Sequence, residues 1–548
     1  MLSLDLQPPN DPFGIKKEDL ILGLRGCLSA SPKFAEFCLP LLVEKLTSDI
    51  VSAKIDSLQT LTACLEVYDP DSLREFQSTF FDCIKKEVFY SGDATLEAVS
   101  LDCLKALVKV LSRGISQKGD RKSLDDFLNE IVNECQQHLL KPELKIMLLT
   151  GQLLCAAAAG SDTSCCRLVH VYVPLLLEQA SKCTLILQRR NIFEVLSWFI
   201  TVTAEFQFGQ EDPNPLVMYK DSLLSHYILL LSDENKLQLQ LLAATSFRNI
   251  LSLTGVLSKT DIDNITDSLL NCAMQTTVAD VRQLCCSALS LLSSSSPDTV
   301  ISRVLPELIS RLNTDPMDAD GESDPKVLTS KAVVMETMAS LASHPLVIEK
   351  VSYQLMSHLQ SSCSREKDGN LEEMCHTAKC LFQVVSAGVS YQTLPDFFHS
   401  NILPAIYDFA IALCKKYFSR EETKVEDLLS SLACSIRAIV THLEKTQLET
   451  LLNTVVKLYL DGSCEDMNLK HLPHMDKFRP LQVEWNEYSP MVTLLTSVLC
   501  AVPTHVSIPR EIEILQILTK LVKSWCSSRY PQTALYKLLA GLVNKLNN

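Results

Sequence analysis

Apolar residues recur at steps of three and four along most of the chain from Lys17 to Leu546, whereas alternating runs do not. This pattern predicts α-helices nearly throughout and no sheet. It is clearest over Ala279–Asn313. There Val281, Leu284, Cys285, Ala288 and Leu291 share one face of a predicted helix, with Asp280 at the N-cap and Gln283 three residues on, as in a capping box. Ser296-Pro297 opens a second predicted helix with proline at its first position, and its stripe is Val304, Leu305, Leu308, Ile309 and Leu312. Two amphipathic helices joined by a short serine loop cannot bury both stripes against each other. Similar neighbours on either side complete the burial, so the stretch reads as one repeat unit.

Other stretches follow the same plan. Lys17–Leu28 reads as a helix; Cys38–Leu46 and Val51–Val67 form a pair, with Ile55, Leu58, Leu61 and Leu65 on one face. Asp71–Phe89 and Ala94–Leu111 form the next, through Leu96, Val99, Cys103, Leu107 and Val110, followed by a polar loop over Gly114–Lys122. Leu237–Leu253 and Ile262–Met274 are a later pair. A short signature, aliphatic-Pro-any-Leu/Ile, recurs at Pro40, Pro174, Pro306 and Pro404, with gaps of 134, 132 and 98 residues. Divided by three, three and two, the gaps give units of about 44 to 49 residues, close to HEAT and armadillo repeats. The expected fold is therefore all-α: a HEAT/armadillo-like α-solenoid of stacked antiparallel helix pairs.

Thr314–Pro325 interrupts the pattern with five acidic residues, two prolines and a glycine, and reads as an acidic loop or linker; the alternative is a docking or phosphorylation segment around Ser323. The layout is helical repeats over 1–313, this linker over 314–325, and further repeats over 326–548. Helices resume at Val327 and are expected over Ile348–Leu359, Glu372–Val385, Pro404–Leu413, Val425–Leu443 and Leu448–Leu460. A second loop spans Asp461–Tyr488, with Pro473 and Pro480. The last helices are Met491–Cys500, Glu511–Trp525 and Ala534–Leu546.

Length supports an elongated array, since 548 residues exceed what one hydrophobic core accommodates. With 15 glycines and 6% aromatics, the chain has little material for a β-rich fold. The N-terminus lacks the basic and apolar regions of a signal peptide, and no run of 18 apolar residues lacks a polar interruption, so a cytosolic chain with no membrane span is expected. The 21 cysteines sit singly in helical patterns (Cys64, Cys103, Cys272, Cys434) or as adjacent pairs (Cys165-Cys166, Cys285-Cys286), which fits reduced core residues. A net charge of −15 without a basic cluster disfavours direct nucleic-acid binding and points to protein partners.

Enzyme signatures are absent: there is no GxxxxGK[ST], GxGxxG, GxSxG, HExxH or kinase motif. No catalytic residue, cofactor or resident metal is expected. Cys375, His376 and Cys380 share a helix at spacings that do not aim three ligands at one point, and Cys464, His471 and His474 offer one close ligand pair where structural zinc normally shows two. Glu421, Glu422, Glu511 and Glu513 read as solvated helix starts. Arg282 is expected to brace neighbouring repeats through a carboxylate, and Arg189-Arg190 to be a solvated helix start.

Pro8–Leu61, together with Leu458-Tyr459-Leu460-Asp461-Gly462, Phe478-Arg479-Pro480 and Gly541-Leu542-Val543-Asn544-Lys545, resembles the methyl-methanesulfonate-sensitivity protein nineteen family, also described as nucleotide excision repair protein homologues. The resemblance implies a HEAT-repeat scaffold of the cytosolic iron-sulfur targeting complex, acting in cytoplasm and nucleus. Its implied partners are a component-two-B type factor, a WD40 propeller subunit, and apoproteins such as DNA helicases, primase and polymerases. Family members are about twice as long, so this chain looks like their central half. Leu535, Leu538, Leu539, Leu542 and Leu546, with Val543, form a last apolar stripe that is expected to face a partner or further repeats. Two rival readings are a HEAT-type transport or trafficking scaffold and a metalloprotein that itself holds a cluster.

Overall fold

A computed structural model describes residues 16–118, 122–140, 144–209, 212–233, 236–313, 331–364, 371–417, 422–464, 467–474, 477–503 and 505–525. Among them every regular element is helical and there is no strand. Packing divides the chain into two compact units, Met1–Ile265 and Thr266–Asn548.

In the first unit the main helices are α1 Lys17–Leu28, α2 Ala35–Leu46, α3 Val51–Leu65, α4 Gln77–Tyr90, α5 Ala94–Lys118 and α6 Lys122–Leu140. They continue as α7 Leu144–Ala158, α8 Asp162–Lys182, α9 Ile186–Ala204, α10 Lys220–Ser232 and α11 Leu237–Leu251. From α2 onward these form consecutive pairs. The second members, α3, α5, α7, α9 and α11, pack on one another in succession, and each first member packs against its own partner. This is the HEAT-like solenoid arrangement, in which a helix pair buries its stripes only between neighbours.

The division falls within α12, Lys259–Gln275. The second unit carries α13 Ala279–Ser295, α14 Leu305–Asn313, α15 Lys331–Ser340, α16 Pro345–Ser364 and α17 Leu371–Gly388. After them come α18 Leu403–Tyr417, α19 Glu422–Val440, α20 Lys445–Asp461, α21 Val492–Ala501 and α22 Glu511–Trp525. Here α13, α15, α17, α19 and α21 stack in succession, flanked by α14, α16, α18 and α20.

The proline register is real. Pro40, Pro174, Pro306 and Pro404 all lie in the first helix of a pair, and three, three and two pairs separate them. Proline lacks an N–H and its ring crowds the carbonyl four residues back. At Pro306 and Pro404 the chain answers with a π-helical turn just upstream, Val300–Val304 and Phe398–Ile402, which relieves the crowding without ending the helix. The same repeat length appears in polar contacts between consecutive pairs. Tyr172 donates to the Val132 carbonyl (3.1 Å), Asn249 to Thr201 (2.8 Å) and Tyr353 to Asn401 (2.9 Å), with partners 40, 48 and 48 residues apart.

Several local expectations need correction. Leu237–Leu251 is the partner of Lys220–Ser232 rather than of the helix that follows it, and Leu305–Asn313 packs with Lys331–Ser340, so Ala279–Asn313 joins the second helix of one pair to the first of the next. The N-cap of α13 is Val278, with no side-chain hydrogen bond; Asp280 lies inside the first turn, where its charge favours the positive helix end. The buried stripe of α13 is Val281, Cys285, Ala288, Leu289 and Leu292, whereas Leu284 and Leu291 are half-buried. Gly114–Lys118 continues α5 rather than forming a loop. Cys434 is exposed, unlike Cys64, Cys103 and Cys272. No cysteine among the described residues forms a disulfide.

The loop after α20 is docked rather than free. Phe478 is buried beside Tyr459 and Tyr488, with ring centroids 6.4 and 5.1 Å away, and Met467 and Pro480 are buried too. Residues 314–325 and Ala534–Leu546 lie outside the described residues. By length and composition Leu394–Tyr417 is apolar enough to cross a membrane, but it is largely buried within the second unit, as the core helix of a repeat stack is.

Candidate partner-binding surface

In the second unit the stacking of α17 on α19 turns their apolar stripes inward: Met374, Ala378 and Leu381 on α17, Leu428, Leu429 and Leu432 on α19. The opposite positions are polar. Glu372, Cys375 and Lys379 follow one another at helical steps on α17, and Asp427, Ser430, Ser431 and Cys434 do so on α19. With Lys424 they line a groove of about 620 Å³. The Cys375 thiol lies 3.7 Å from the Lys424 carbonyl, and burial first, then Asp427, pushes its pKa up. A thiol held neutral is a weak nucleophile.

A second groove of about 280 Å³ lies between the first helices of consecutive pairs. It is lined by Ile301, Leu305, Pro306 and Ile309 on one side and by Lys350, Tyr353 and Gln354 on the other. The π turn before Pro306 helps shape this wall, and Tyr353 stays about half exposed while its ring packs edge-on against Phe397 at 5.3 Å.

The structure places the Cys/His groupings apart from any shared centre. Cys375 faces α19, the His376 ring lies 3.4 Å from Glu336 on α15, and Cys380 is buried. His471 is held by Asp408, and His474 is exposed. Among the described residues no three His, Cys, Asp or Glu side chains are grouped to hold a metal ion.

Arg282 does not brace repeats through a carboxylate. It donates to the Thr276 carbonyl at 2.9 Å and so fastens the turn between α12 and α13. Arg189 and Arg190 do open α9, but they are half-buried: Arg189 lies over the Phe193 ring at 5.9 Å and Arg190 reaches Gln238 in the next pair at 3.4 Å. Glu513 pairs with Arg510 at 2.8 Å. Leu535, Leu538, Leu539, Leu542, Val543 and Leu546 lie outside the described residues, as does Glu421. Of the α17–α19 groove residues the sequence singled out only Cys375 and Cys434, and neither as part of a groove, although the polar i, i+3, i+4 spacing on otherwise apolar helices was a usable signal.

Two segments that carried the family resemblance meet in space. Tyr459 and Phe478 belong to one aromatic cluster, Gly462 ends α20 in the left-handed region (φ 69°), and Asp461 pairs with Arg510 at 2.7 Å. The MMS19 N-terminal family, described as a Dos2-interacting transcription regulator of RNA-Pol-II, matches residues 6–90, and its C-terminal counterpart, an RNAPII transcription regulator C-terminal domain, matches 334–548. Together the two cover more than half of the chain. This chain belongs to the MMS19 family.

It is 32% identical to the MMS19 nucleotide excision repair protein homolog of Xenopus laevis over 98% of this chain and 53% of that protein. The Homo sapiens homolog is 29% identical over 98% and 52%. A DNA repair/transcription protein of Saccharomyces cerevisiae, also named MMS19, is 21% identical over 63% and 36%. The chain thus spans about half the length of the vertebrate relatives it matches. Among solved structures, yeast importin-beta (Kap95p) aligns with 96% of this chain and 60% of that one, at TM-score 0.45 and 11% identity. Both grooves have residues within the C-terminal family match, and the α17–α19 groove lies wholly inside it.

Proposed function

We propose that this chain is a non-catalytic scaffold serving DNA repair and transcription, and that it acts within the cytosolic iron-sulfur targeting complex to bring clusters to apoproteins. The observation that carries the reading is the family relationship over 98% of the chain, joined to a fold of stacked helix pairs. The repair and transcription role rests on the names of the relatives; the iron-sulfur role rests on what the family resemblance implies.

A repeat stack suits this task because partners docked at different repeats are held at high local concentration relative to each other. The cluster is cargo in this scheme. The partners are a component-two-B type factor, a WD40 propeller subunit and client apoproteins such as helicases, primase and polymerases. The chain works in cytoplasm and nucleus. Affinity purification of the whole chain with the two targeting subunits tests the proposal. Co-purification with both is expected, and recovery of neither while the chain is folded overturns it.

A further inference from the structure

We infer that Cys38 and Cys64 form a peroxide-oxidisable dithiol that closes to a disulfide within the first helix pair. Cys38 stands on α2 and Cys64 on α3, and their sulfurs are 3.9 Å apart. Only 1% and 0% of the two residues is exposed. Tyr68, also buried, lies beside the pair and donates its hydroxyl to the Leu28 carbonyl at 2.8 Å.

Two features separate this pair from the buried Cys103 and Cys135 of the same unit. The first is chemical. A Cys38 thiolate would accept the Cys64 S–H, which holds Cys38 below the ordinary thiol range against the upward pull of burial; the same contact, with burial, pushes Cys64 up. Cys103 and Cys135 have no thiol neighbour, and burial pushes each up to about 12. Since the thiolate is the species that reacts with peroxide, Cys38 is the favoured entry point.

The second feature is positional. A sulfenic acid formed on Cys38 has Cys64 as its immediate neighbour, so the intramolecular step has the advantage of held reactants. The steps balance. The Cys38 thiolate attacks one peroxide oxygen, the S–O bond forms as the O–O bond breaks, and the departing hydroxide takes up a proton to become water. Cys64 sulfur then attacks the Cys38 sulfur, forming S–S as S–O breaks, and the Cys64 proton leaves with the second water. Two thiols are oxidised and one hydrogen peroxide is reduced to two waters. The product cross-links positions 26 residues apart, staples α2 to α3, and is reopened by a thiol reductant.

The test treats the folded, intact chain with hydrogen peroxide, quenches it, denatures it in iodoacetamide and digests it without reduction for mass spectrometry. The expected result is a Cys38–Cys64 linked peptide that disappears on prior dithiothreitol treatment, with both alkylated peptides lost in equal proportion and Cys103 and Cys135 still alkylated. In Cys38→Ala, Cys64 should stay fully alkylatable; if that variant fails to fold, the mapping of the unaltered chain decides alone. Recovery of both residues alkylated while exposed Cys27 or Cys434 is oxidised overturns the inference. So does a Cys64–Cys27 link, or a Cys38 sulfinic acid beside a free Cys64.

Discussion

Asp408, buried on α18, and His471, on the loop beyond α20, are joined across 63 residues: the carboxylate accepts the His471 backbone N–H at 2.8 Å and its ring Nδ1–H at 2.9 Å. This double contact fastens one end of a long irregular segment whose other end is held by Phe478 and Tyr488. A segment that looks from composition like a free loop is thereby part of the stack.

Asp408→Ala removes both acceptors at once and leaves the backbone N–H of His471 without its partner. Limited proteolysis should then cut first near Lys470–His474, whereas the unaltered chain should resist there. Identification of the first fragments by mass spectrometry checks this, and an unchanged pattern would mean that the aromatic cluster alone holds the loop.

The two faces of α13 should respond oppositely to truncation. Leu289 is fully buried and Gln283 is exposed. Leu289→Ala should cost about 2–5 kcal/mol, and Gln283→Ala less than about 0.5 kcal/mol. Thermal melts of the two variants decide it, and equal melting temperatures would mean that the stripe is misassigned.

Two glycines should change stability in opposite directions. A Cβ on Gly388 would lie 2.6 Å from the Phe398 ring, so Gly388→Ala forces the ring aside and should cost about 1–3 kcal/mol. Gly23 lies inside α1 with nothing within 4 Å, so Gly23→Ala should stabilise by about 0.5–1 kcal/mol through helix propensity. Urea unfolding midpoints report both.

Lys220 and Asp261 pair at 2.6 Å between consecutive helix pairs. Burial pushes the Asp261 carboxyl up, but hydrogen bonds from Lys220 and Ser258 outweigh it and the net shift is downward. A carboxyl depressed in the folded state contributes stability that is present above its unfolded pKa of about 3.9 and is lost as pH falls through the lower folded value. The melting-temperature gap between the unaltered chain and Lys220→Met should therefore be widest above about pH 5 and shrink below about pH 4. A gap that is constant over this range would assign the effect to packing of the lysine stem.

The sequence by itself determined the repeat architecture, its helix type and even the proline register, because steps of three and four report a buried face and Pro40, Pro174, Pro306 and Pro404 mark one structural position; the pairing was legible only in part, since Leu237–Leu251 packs with Lys220–Ser232 before it and Leu305–Asn313 with Lys331–Ser340 after it. The resemblance of Pro8–Leu61 to its family was legible for a different reason, since it includes residues that helix packing does not dictate. Tertiary structure decided the rest. The sequence reading put Leu284 and Leu291 on the stripe of α13 and passed over Leu289; an apolar stripe wider than a single contact line does not fix which of them goes inward, and the neighbouring helices settled it for Leu289. Residues that bond to each other, such as Asp408 and His471, or that line one groove, such as Cys375 and Cys434, lie far apart in the chain. Helical periodicity carries information over a few turns of one helix, whereas a groove or a latch depends on which helices stack and in what register, and that is fixed by the summed packing of the whole unit.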